Sequence, residues 1–176
     1  MLALALQYNE GFSRAAEELR ALADPHCQQG TTSEVNYRLY QAMTAATIDE
    51  RIEGLRTLAT HNSDLEARLF LSMELIKKYE PGHIDRANAV RLLEAILNGH
   101  PGNAAAHHYW IHAWEDTPYP ETSLSFAKIL PLLTPQSPHM IHMPGHVYHL
   151  SGDFVRSAVE MEKAYDADAE YLSNQV

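Results

Sequence analysis

With 176 residues, 45% hydrophobic and 20% charged, the chain is long enough to bury its own core and too apolar to stay disordered. Thirteen basic residues against 23 acidic ones leave a net charge of −10, a field that repels phosphate and argues against nucleic acid and anionic membranes as partners. A single cysteine, Cys27, excludes an internal disulfide and a cysteine-based zinc cluster, and reads as a small buried hydrophobe.

Taken in chain order, Met1–Leu6 is apolar but lacks a basic flank and gives way to Gln7, Tyr8 and Asn9. It reads as helix rather than signal peptide. No apolar run is long enough to span a bilayer, so a reducing cytoplasm is the expected location. Ser13–Leu22 carries an apolar face and stops at Asp24-Pro25. Glu34–Ala46 places Val35, Leu39 and Met43 on one helical face. Thr47-Ile48-Asp49-Glu50 and Ser63-Asp64-Leu65-Glu66 both have capping-box spacing, the first opening Ile52–Ala59 and the second a helix ending near Tyr79-Glu80-Pro81-Gly82.

Ile84–Leu97 follows, stopped by Gly99 and Pro101, and Asn103 can cap Ala104–Glu115. Pro120 suits the first position of a helix over Glu121–Leu130, which Pro131 should end. A helix from about His142 to Leu150, a break at Gly152-Asp153 and a last helix from Phe154 to about Leu172 complete the series. Sustained alternation of β-branched residues is missing, so the expected fold class is all-α.

About five helical hairpins with short links suggest a solenoid, and a period of 34 residues separates Pro101 from Pro135. That is the tetratricopeptide (TPR) period. A frame laid from Pro138 puts Gly145 at position 8, Tyr148 at 11, Gly152 at 15 and Ala164 at 27, in agreement with the pattern; Ser157 stands at 20, where the pattern wants alanine. The expectation is one TPR-like α-solenoid domain over 1–176, with repeats at about 104–137 and 138–171.

Seven of the eleven histidines lie between His107 and His149. His108, His112 and Glu115 follow i, i+4, i+7 spacing and share a helical face. His139, His142, His146 and His149 follow steps of three, four and three. His108 and His142 are 34 residues apart, as are His112 and His146, so each pair occupies the same two repeat positions. These positions face the concave groove of a TPR array, where first helices of successive repeats lie side by side at about 8–10 Å. Six candidate metal ligands result: His108, His112, His139, His142, His146 and His149. His107 falls off the face and reads as structural, and His26, His61, His83 and His100 fall near helix ends or in loops.

The segments His107–Glu115 and Pro138–Tyr148 resemble two motifs of a bacterial tetratricopeptide-repeat family, N-H-x-Y-I-H-x-x-E and G-H-x-x-H-M-P-x-H-x-Y. Asp24-Pro25-His26-Cys27 resembles that family's D-P-x-C step. The resemblance implies a helical-repeat fold and no settled activity.

Imidazole serves zinc, copper, iron and nickel alike. A nitrogen-rich, thiolate-free set leans to copper, with iron or zinc as alternatives, and six imidazoles are enough for two coppers. A helical array folds through its own packing, so a metal in its groove points to function rather than fold. Glu115 is a candidate ligand or general base, hence the candidate catalytic residue, and Asp116 could orient a histidine. The resulting expectation is an oxidative metalloenzyme acting on a small molecule or peptide. The alternatives are a metal carrier without chemistry and a TPR scaffold that binds a peptide in its groove.

Overall fold

The computed structural model describes residues 32–61, 64–78 and 85–173, with the side chains of 32, 33 and 61 left aside. The Ser13–Leu22 helix, Cys27, His26 and His83 lie outside the described residues. The described residues form eight α-helices and one 3-10 turn, with no strand among them. The chain divides into two compact units at Glu80/Pro81.

The first unit holds α1 (Thr32–Met43), α2 (Ile48–His61) and α3 (Leu65–Lys77). The turn between α1 and α2 is closed by a reciprocal capping box: Glu50 N–H donates to Thr47 Oγ1 at 3.2 Å, and Thr47 N–H donates to Glu50 Oε2 at 3.0 Å. At α3 the capping residue is Asp64, its carboxylate accepting Ala67 N–H at 2.7 Å. α1 packs on α2 and α2 on α3, with Leu39, Leu55 and Leu75 all but completely buried.

Among the described residues of this unit, one charge is buried. Glu74 is fully buried, and its carboxylate accepts Arg51 Nε at 2.8 Å and Lys77 Nζ at 3.1 Å. Arg51 also donates to the Ala45 carbonyl at 3.1 Å, tying the capping turn to α3.

The second unit runs α4 (Asp85–Gly99), α5 (Ala104–Glu115), the 3-10 turn Pro120–Ser123, α6 (Leu124–Leu133), α7 (Pro138–Leu150) and α8 (Phe154–Ser173). Each helix packs on the next, and α5 also packs on α7. Ile111, Ala127, Leu130, Met143 and Val147 from α5, α6 and α7 form its apolar centre.

Two proline expectations are corrected. Pro131 lies inside α6 instead of ending it, and α7 begins at Pro138, four residues before His142. Proline at the first helical position lacks only an N–H that would be orphaned anyway. Pro144 is also inside α7, where it withholds one backbone donor while sitting buried.

Gly152 at φ 80° ends α7. Its N–H donates to His149 O at 3.0 Å and Asp153 N–H to Tyr148 O at 2.8 Å, a complete Schellman motif. Asp153 then caps α8 by accepting Arg156 N–H at 3.0 Å. The two helices approach closely at Gly145, where an added Cβ would lie 2.9 Å from Met161 Cε. Ser157 donates to the Gly145 carbonyl at 2.9 Å there, so the hydroxyl at the expected alanine position is satisfied while buried.

Candidate metal centre

Asn103 fixes the start of α5 by accepting Ala106 N–H at 2.8 Å, and this sets which residues share each helical face. One face carries His107 and Trp110. The His107 Nε2–H donates to Pro101 O at 2.9 Å, and the Trp110 ring stacks on Phe126 with centroids 4.4 Å apart. His107 is therefore structural, as its position off the histidine face suggests. The other face presents His108, His112 and Glu115. Because α7 starts at Pro138, His139, His142 and His146 all belong to one helix, spaced to share its face.

His108 lies buried where the two faces meet. Its Nε2 is 2.9 Å from His112 Nε2 and 3.0 Å from His139 Nε2. The ligand atoms of His108, His112 and His139 all lie within 4.8 Å of one another, and the three residues are positioned to hold a metal ion. Metal–nitrogen bonds of about 2.0–2.1 Å separate neighbouring nitrogens by about 2.9 Å at right angles and about 3.4 Å at tetrahedral angles. The two short separations match the right-angled case.

Valence supports the same assignment. An sp² ring nitrogen has either one proton or one lone pair in the ring plane. The His108 Nε2 can therefore make one good hydrogen bond, not two, and one of its two close contacts is left unsatisfied by protons alone. A cation that accepts all three lone pairs satisfies every nitrogen.

For His108, His139 and His142 the neutral form is favoured for a physical reason. Burial, reinforced by repulsion from His112, His139, His142 and His146, lowers the His108 pKa from 6.5 to about 3. The His139 pKa is lowered by burial and by His112 and His146. The His142 pKa is lowered by burial and by His139 and His146, against a smaller opposing hydrogen bond to the Pro138 backbone.

Glu115 stands behind this trio. Its Oε1 is 2.7 Å from His112 Nδ1, so that nitrogen carries the proton and Nε2 keeps its lone pair toward His108. Its Oε2 is buried without a hydrogen-bond partner, 4.0 Å from His146 Nδ1. Neighbouring rings continue along α7, with centroids 4.8 Å apart for His139–His142 and 4.9 Å for His142–His146. Five imidazoles and one carboxylate thus form a closed circuit across α5 and α7.

His149 is exposed, its ring set edge-on to Phe154 at 5.3 Å. Asp116 is exposed at the end of α5, with its backbone N–H on Trp114 O. His100 is exposed just past α4.

Both contacts that join the faces of α5 and α7 link residues 31 apart, His108 with His139 and Glu115 with His146. The two helices therefore run in the same direction, with a stagger three residues short of the 34-residue spacing between His108 and His142. That stagger gives His108 the neighbour His139 in place of His142, the residue 34 positions on.

No protein-family model matches this chain, and no curated protein matches it. Among the described residues no helix is long and apolar enough to cross a membrane.

Proposed function

We propose that this is a TPR-like protein that binds a transition metal through His108, His112 and His139 and uses it for oxidative chemistry on a small molecule or peptide. The observation that carries the metal reading is the convergence of three Nε2 atoms, two of them at 2.9 and 3.0 Å from His108. Three imidazoles leave coordination positions open for water, dioxygen or substrate, as catalytic sites require. His139 is exposed, which gives an ion and a substrate a way in.

Copper is the preferred metal and iron the next, because the donors are nitrogens and no thiolate is among them. Glu115 acts here as a positioning residue that fixes the His112 tautomer. The tetratricopeptide reading is supported by the packing of α5 on both α6 and α7 and by the tight Gly145–Ser157 crossing. A metal carrier is the second reading, favoured by His142 and His146, whose further imidazoles can saturate an ion.

The test is elemental analysis of untagged full-length protein beside a His108→Ala variant. One equivalent of copper, iron or zinc fewer in the variant than in the wild type is the expected result. No metal, and none taken up on titration, would sink the proposal. Dioxygen uptake by the copper-loaded protein with ascorbate, faster than with free copper, supports the enzyme; no uptake leaves the carrier.

A further inference from the structure

From the same helix pair we infer a second cation subsite, formed by Glu115 Oε2 and His146 Nδ1 with the His142 ring beside them, next to the three-histidine site. The inference extends the metal-binding reading above.

Glu115 Oε2 is buried and accepts no hydrogen bond. A buried carboxylate oxygen without a donor is costly to leave unpaired. Its neighbour, His146 Nδ1, is 4.0 Å away, beyond hydrogen-bond reach. An ion between them with metal–nitrogen bonds of about 2.0–2.1 Å and metal–oxygen bonds of about 2.0–2.2 Å spans from about 2.9 Å at right angles to about 4.2 Å in line. The observed gap of 4.0 Å lies at the wide-angle end, with the two donors on nearly opposite sides of the ion.

The His146 side chain is 41% exposed, so water can complete the coordination and an ion can enter. His142 touches His146 on one side and His139 on the other, making it the imidazole shared between the two subsites. Glu115 links them by a different route: Oε1 holds His112 in the ligating tautomer while Oε2 faces the second ion. One nitrogen and one oxygen donor suit a borderline divalent transition ion such as cobalt(II) or zinc(II).

The experiment uses the full chain, stripped by chelator and titrated with cobalt(II) alone. Bound cobalt is counted by elemental analysis, and its visible absorption is followed. The expected result is two equivalents in the wild type and one in both His146→Ala and His146→Gln, with circular dichroism unchanged. His108→Ala should also keep one equivalent, with the absorption of the second subsite alone. One equivalent in the wild type, or two retained in both His146 variants, overturns the second subsite and leaves the first standing. A His146 variant that binds none while the wild type binds one assigns His146 to a single site and also overturns it. No cobalt bound by the wild type overturns both subsites.

Discussion

Each unit buries polar side chains among apolar helices, and the two do so with opposite outcomes. In the first, the fully buried Glu74 carboxylate has Arg51 on one oxygen and Lys77 on the other. Its donors and acceptors match within the chain. In the second, His108 faces two further nitrogens across about the same distances, and Glu115 Oε2 has no donor. A buried polar cluster that balances is a strut. One that is short of positive charge is a receptor for it.

Breaking the balanced cluster should have the largest effect. Arg51→Met removes one partner of a buried pair and should cost about 3–5 kcal/mol in urea unfolding. Metal stoichiometry in the folded variant should not change. A loss under 1 kcal/mol would mean that Lys77 alone suffices for Glu74.

Next comes the link between the carboxylate and the trio. Glu115→Gln still accepts the His112 Nδ1–H but loses the charge behind the ring, and should weaken the first ion's binding by about 10- to 100-fold. Calorimetric titration measures this, and unchanged affinity would remove Glu115 from its positioning role.

The smallest effect is on pH dependence without metal. The folded-state pKa of His108, about 3, lies below its unfolded value of 6.5. The stability tied to its neutral form is fully present above pH 6.5 and is lost as pH falls toward 3, because only the unfolded chain takes up the proton. Between pH 7 and 5 the stripped wild type should lose on the order of 1–2 kcal/mol more than His108→Ala. Equal losses would show that the ring is accessible to protons in the folded state.

Much of the second unit is legible from single residues. Asn103 announces the start of α5, Gly152-Asp153 announces the α7–α8 turn, and the i, i+4 histidine pairs announce the faces. The Thr47–Glu50 box does the same for α2, and at α3 the cap is Asp64, the second residue of the expected box, because spacing alone does not choose between two residues that can cap. The start of α7 is misjudged because an internal proline reads as a boundary, although Pro138 at the first position is the better start. The 31-residue stagger is the deeper omission. A repeat period says which residues are equivalent, but close packing decides which residues touch, and the two differ here by almost one helical turn. That difference makes His139 the third member of the trio and leaves His146 beside Glu115.

The trio also has a topological consequence. His108 and His139 are brought together by a chain that passes through the Pro120–Ser123 turn and all of α6. An ion bound there would be a reversible cross-link closing a loop around that segment, and would remove the loop's freedom from the unfolded ensemble as a disulfide does. In the second unit, where the described helices otherwise pack mainly on their sequence neighbours, loading the site would close α5, α6 and α7 into a ring. Amide exchange along α5, α6 and α7 would slow together on loading.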